Sequence, residues 1–168
     1  MTREEIQANL DNFKVFNTTI EKIKKAKLLI PTKPSFTDGD LFQEWEELKQ
    51  KYGGIANIPY EELGEFLDKW TAFIAYARWC EAIADLEAQT AKEARDTVKN
   101  QLYVLQDGNR EMKAAQVATE ELFIKLEKEY VEKQALYIAL KGLREGYEQR
   151  ATAISREITR RIAERERY

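Results

Sequence analysis

The 168-residue chain has no histidine and a single cysteine, Cys80. The first absence removes the commonest general base and the commonest metal ligand. The second rules out an intrachain disulfide and fits a reducing compartment. There are 3 prolines, none after Pro59, and the glycines beyond Gly64 are Gly108, Gly142 and Gly146. Helix breakers are therefore sparse from Pro59 onward. No apolar run approaches the roughly 20 residues a membrane span needs. The opening Met1-Thr2-Arg3-Glu4-Glu5 is polar and acidic, unlike a secretory signal. A cytoplasmic protein with no membrane partner is expected.

Catalytic signatures are missing as well. The sequence has no Gly-rich phosphate loop, no G-x-S-x-G element and no Cys/His cluster. The pairs Glu46-Glu47, Glu61-Glu62 and Glu120-Glu121 are adjacent, so on a helix their carboxylates point about 100° apart and do not converge. Cys80 falls on an apolar seam, where it reads as a buried, inert thiol. No enzyme activity, cofactor or metal is expected.

What the chain does have is charge and helical periodicity. Charged residues make up 34% and hydrophobic ones 43%, with mean hydropathy −0.61 and net charge −3. That is too apolar for a disordered chain and suits long, solvated helices. Thr2 and Glu5 form a capping box opening one helix over 3–29, with Ile6, Leu10, Phe13, Ile20 and Ile23 at helical spacing and a break near Asn17. Pro31 and Pro34 mark a linker. A short helix begins at Thr37-Asp38, carries Leu41, Trp45 and Leu48 on one face, and ends at Tyr52-Gly53-Gly54. Asn57 is then placed to cap the next helix, with Pro59 in its first turn.

From residue 59 the pattern predicts two long helices, 59–106 and 111–166, roughly 70 and 80 Å in length, joined at Asp107-Gly108-Asn109. The first carries a heptad seam through Leu63, Phe66, Trp70, Phe73, Ala77, Cys80, Ala84, Glu87, Ala91, Ala94, Val98, Gln101 and Leu105. Its partner runs through Leu122, Leu126, Tyr130, Leu136 or Tyr137, Leu140, Leu143, Tyr147, Ala151, Ile154, Ile158 and Ile162. The expected fold is all-α: a long antiparallel helical hairpin, coiled-coil-like, with a small N-terminal helical pair, assembled as an oligomer. It divides into an N-terminal arm and linker (1–37), a short acidic helix and Gly-rich turn (38–58), and the hairpin (59–168). A second apolar stripe with Ile74, Ile83 and Leu86 widens the first long helix beyond what one partner covers. Trp70, Ile74, Trp79, Ile83 and Leu86 are therefore the expected subunit interface.

Charge is segregated. Residues 38–68 are strongly acidic, while basic groups gather at Lys22, Lys24, Lys25 and Lys27, at Lys92, Arg95 and Lys99, and in the tail at Arg150, Arg156, Arg160, Arg161, Arg165 and Arg167. Lys92, Arg95 and Lys99 share one helix face, with Gln89 and Tyr103 extending it. Such a face could track a nucleic-acid backbone, the tyrosine offering a stacking surface; equally, its cations could pair with Asp85, Glu93 and Asp96 and only solvate the helix. Arg156, Arg160 and Arg167 share a second face suited to bidentate phosphate or carboxylate contacts, or to the helix C-terminal dipole.

The order of these features resembles that of the phage recombination mediator family of UvsY. The features are Glu47-Leu48-Lys49 in a leading helix, Tyr76-Ala77-Arg78-Trp79 and Leu86-Glu87-Ala88-Gln89 in a long helix, the basic stretch 92–99, the Asp107-Gly108 turn, and Arg156 to Arg161 near the end. The resemblance covers residues 41–161, about three-quarters of the chain. It implies a non-enzymatic, single-stranded DNA-binding mediator that helps load a RecA-like recombinase onto DNA held by a single-strand-binding protein. It also implies a homo-oligomeric ring or bundle working, if phage-encoded, in the host cytoplasm. The family's basic DNA-binding motif precedes the inter-helix turn, which makes Lys99 the direct counterpart here; Gln101 stands where a second basic residue is expected. Lys92, Arg95, Lys99, Tyr103, Arg156 and Arg160 are the expected DNA contacts. The alternative is a phage-encoded helical adaptor, scaffold or inhibitor acting only through protein–protein contacts.

Overall fold

Thr2 and Glu5 close the capping box as expected: the Glu5 N–H donates to Thr2 Oγ1 at 3.2 Å and the Thr2 N–H to Glu5 Oε2 at 2.8 Å. They open the first of six helices in a computed structural model that describes residues 2–10, 15–35 and 40–166. The helices are α1 (Arg3–Leu10), α2 (Val15–Lys25), α3 (Leu41–Tyr52), α4 (Tyr60–Leu105), α5 (Arg110–Ala118) and α6 (Glu121–Arg165), with a 3₁₀ turn at Ile55–Asn57. The architecture is all-α, with the long α4 and α6 packed antiparallel and small N-terminal helices. The expected helix start at Thr37-Asp38 and the tail residue Arg167 lie outside the described residues.

Several boundaries differ from the sequence reading. Asn17, the expected break, lies inside α2, since Asn and Thr each lower helix propensity by only about 0.5 kcal/mol. α2 stops at Lys25 rather than residue 29. The Lys27 N–H bonds to the Lys24 carbonyl at 3.0 Å and the Leu28 N–H to the Ile23 carbonyl at 3.4 Å, with Lys27 left-handed at φ 56, the hydrogen-bond pattern of a Schellman end. Asn57 does not cap α4: its side-chain amide donates to the Tyr52 carbonyl at 3.0 Å and so finishes α3. Gly53, at φ 70, ends α3 through bonds to the Gln50 and Lys49 carbonyls. The expected continuous helix 111–166 is divided at Thr119. There the Thr119 and Glu120 N–H groups bond three residues back, and the Thr119 hydroxyl takes the Gln116 carbonyl at 2.8 Å. Asn109 caps α5 through the Met112 N–H at 2.9 Å, so the Asp107-Gly108-Asn109 break stands where it was expected.

The chain forms two compact units, Met1–Ile30 with Glu81–Ala139, and Pro31–Cys80 with Leu140–Tyr168. In the second, Leu41, Trp45, Leu48, Ile58, Leu63, Phe66, Trp70 and Ile154 form the core. Trp70 is its centre, with Phe42 edge-on at 5.2 Å and Tyr147 at 5.7 Å between ring centroids. Arg161 ties α6 to the turn before α4, donating to the carbonyls of Ile58, Ile55 and Ala56 at 2.7, 3.0 and 2.9 Å. In the first unit Ile6 of α1 is fully buried with Val98, Leu102, Val117 and Leu126. The α4 seam there shifts phase: Ala88 and Leu102 are buried, whereas Glu87 and Gln101 are only half-buried and Leu105 is exposed. The buried positions Ala77 and Ala88, like Ala91 and Leu102, stand eleven residues apart. That step, 3.67 residues per turn, follows a straighter helix than a strict heptad does. On α6, Leu136, Leu143 and Ile162 are exposed, and Tyr137 takes the inward position.

Candidate nucleic-acid interface

The basic face of α4 lies in the first unit, and the fold treats its members differently. Lys92 and Lys99 are exposed and have no ion pair among the described residues. They sit seven residues apart on one face, roughly 10 Å along the helix. Arg95 between them turns inward. Its guanidinium bonds Asp96 Oδ1 at 2.7 and 2.9 Å, lies 3.3 Å from Glu127 Oε2, and stacks 4.3 Å above the Tyr130 ring, leaving the side chain 16% exposed. Burial opposes its charge most strongly, yet Asp96, with Glu127 and Tyr130, outweighs it and holds the group above its ordinary range. Arg95 is therefore an intrachain clamp between α4 and α6, an arrangement that removes it from a free phosphate-binding face. Gln89 is also taken, donating to Asp85 at 2.9 Å. Tyr103 is half-buried beside the core, with the Lys113 ammonium 5.7 Å from its ring centroid. Its availability as a stacking platform is reduced accordingly.

The tail arginines lie in the other unit. Arg160 bonds Glu157 at 2.7 and 2.9 Å and Glu164 at 2.5 Å. These carboxylates, Glu157 first, raise the guanidinium above its usual range. In return Arg160, against the effect of burial and with help from Arg161, draws Glu157 from 4.5 to about 2. Arg161 is spent on Glu157 and three carbonyls. Arg156 stays exposed and unpaired among the described residues, on the wall of a groove of about 690 Å3. Arg78, Thr152 and Ser155 share that groove and are not among the expected contact residues, although hydroxyls at 152, 155 and 159 keep a helical spacing that was legible in the sequence. Glu148 in the groove is held below the usual carboxylate range by Arg78 first and then Arg144.

The residues expected at a subunit interface differ in exposure. Trp70 is 0% exposed within its own core and closed to a second chain in this conformation. Ile74, Trp79, Ile83 and Leu86 are half-buried. The large exposed aliphatics of the first unit instead include Ile124, Val131, Leu136 and Ile138 of α6. The lysines of α2, Lys22, Lys24, Lys25 and Lys27, are exposed and have no ion pair among the described residues. Among the described residues no three His, Cys, Asp or Glu side chains gather where a metal ion could sit. Among the described residues no helix is long and apolar enough to cross a membrane. Compared with known proteins, the chain matches no family model, no curated protein and no solved structure.

Proposed function

We propose that this chain is a non-enzymatic helical binding protein that assembles with copies of itself and holds single-stranded DNA along α4, as a mediator loading a RecA-like recombinase onto strands covered by a single-strand-binding protein. The observation that carries the reading is the pair Lys92 and Lys99: two exposed, unpaired ammonium groups on one face of α4, just ahead of the turn at Asp107. Two ammonium groups on one face can both meet the phosphates of a strand laid along the helix, and lysine contacts of this kind are sequence-tolerant. With Arg95 paired inside the chain, Lys92 and Lys99 are the phosphate contacts on this reading.

The test is fluorescence anisotropy of a labelled single-stranded oligonucleotide across a salt series. Binding that falls with salt, and whose logarithmic salt slope shrinks by about 1.4 in the Lys92→Ala/Lys99→Ala double variant, supports the reading. Binding that is absent at low salt, or unaffected by the double change, removes it.

A second reading, an adaptor acting only through protein contacts, is favoured by a different observation. The chain spends most of its arginine charge internally, carries a net −3, and leaves large aliphatics exposed on α6. Oligomers that form normally but ignore DNA at every salt concentration would favour it.

A further inference from the structure

The outer side of α6 within the first unit carries Ile124, Val131 and Ile138, exposed by 53%, 54% and 59%. They recur every seven residues, so they form one line that drifts by only about 20° per step and extends for roughly 21 Å. Ala135, also exposed, lies beside this line and is small enough to admit a close neighbour. On one rim stand Lys128 and Glu132, an i,i+4 pair at 3.8 Å whose side chains are 78% and 66% exposed. On the other rim Glu127 is held by Arg95.

We propose that this line is a seam for a second copy of the same chain, packed antiparallel with its two-fold axis at Val131. Two features on the surface select that occupant. The line is symmetric by position, because Ile124 and Ile138 stand equally far from Val131; an antiparallel copy sets Val131 on Val131 and each Ile124 on the partner's Ile138. Two-fold antiparallel packing also brings like rims together, and Lys128 of one chain then falls opposite Glu132 of the other in both directions. Opposite charges across a helix pair set partner and orientation, and the seven-residue recurrence is what a helix partner reads. Leu136 lies more than a third of a turn from the line and is not part of it. This inference deepens the assembly side of the proposed function and stands apart from DNA binding.

The experiment places single cysteines in a Cys80→Ser background and treats the full chain with a short bismaleimide. Val131→Cys alone is expected to give a covalent dimer. Ile124→Cys and Ile138→Cys are each expected to couple poorly alone and efficiently when mixed. Efficient coupling of Ile124→Cys with itself, matched by Ile138→Cys with itself, is the parallel result and overturns the proposal.

Light scattering supplies the second measurement. Val131→Asp, at a site more than half exposed and so tolerant of folding, is expected to raise the dissociation constant of the pair at least about tenfold, since it buries two carboxylates against each other. Lys128→Glu should weaken the pair, and adding Glu132→Lys should restore it. An unchanged mass for Val131→Asp, or a wild-type chain that remains monomeric across the concentration range, also overturns the proposal. Anisotropy on the same variants separates the two ideas: DNA affinity lost in the lysine variant while the cross-links persist leaves the seam standing, and the converse leaves the DNA reading standing.

Discussion

Arg161 offers the sharpest test of how this fold uses its arginines. Its guanidinium donates to the Ile58, Ile55 and Ala56 carbonyls and to Glu157, and the side chain is 18% exposed. Methionine at this position keeps most of the stem packing and deletes the fork. Ala56 is exposed, so its carbonyl regains water, whereas Ile58 is buried and Ile55 half-buried. Two poorly replaced bonds from a charged donor, at about 1.5 kcal/mol each, put the loss near 3 kcal/mol. For a chain of this length that lowers the melting temperature by about 6–12 °C. Arg160→Met is the control. Arg160 is 48% exposed and bonds only carboxylates, so its loss should cost far less than that of Arg161. Arg161→Lys keeps the charge without the planar fork and should fall between the two. Urea and thermal unfolding of the three variants decide the matter. If Arg161→Met is no more damaging than Arg160→Met, the assignment of Arg161 to the fold is wrong.

Other expectations follow the same logic. Leu102→Ala should destabilise the chain by about 2–5 kcal/mol and Leu105→Ala by less than about 1 kcal/mol, because Leu102 is buried at 1% exposure and Leu105 stands at 37%; equal effects in urea titration would return the seam to heptad phase. Glu157 titrates at about 2 in the fold against 4.5 ordinarily, so between those values the unfolded chain binds the extra proton. Its contribution is whole above pH 4.5 and fades as pH falls toward 2, and Glu157→Gln should flatten the acid limb of the stability curve over that window. Arg95→Ala should lower the unfolding midpoint while leaving the salt slope of any DNA binding unchanged, the reverse of Lys99→Ala.

Much of this fold was legible in the sequence because local rules and tertiary packing agree. The capping box at Thr2 and Glu5, the stop at Gly53 and the break at Gly108 each rest on a backbone requirement that few residues meet. The break at Thr119 was not legible, since it has no glycine or proline. It rests on a hydroxyl that bonds the preceding turn and on Glu120, whose carboxylate is taken by Arg3 and Gln106 from distant parts of the chain. The phase of the α4 seam failed for a related reason: a heptad template and an eleven-residue one agree over two turns and diverge over ten.

The candidate site was harder to read than the fold because helical spacing gives the face of a cation but not its partner. Lys92, Arg95 and Lys99 are equivalent by spacing, yet Tyr130 and Glu127, more than thirty residues away in sequence, capture the middle one. The capture follows from chemistry: a planar guanidinium can stack on a ring and still bond a carboxylate at its edge, while an ammonium on a flexible stem retains more of its hydration. Arg160 and Arg161 follow the same division, and Arg78 and Arg144 share Glu148. Arg78, Arg95 and Arg161 tie α6 to α4 or to the turn before it, Arg144 and Arg160 are held by carboxylates within α6, and the exposed lysines of α2 and α4 are left to meet an external anion. A nucleic-acid ligand should therefore be held by point charges, loosely oriented and strongly sensitive to salt. Replacing Lys92 and Lys99 with arginine tests that division directly. The double change should raise single-strand affinity without raising the melting temperature; a rise in melting temperature instead would mean that new intrachain partners had captured these side chains as well.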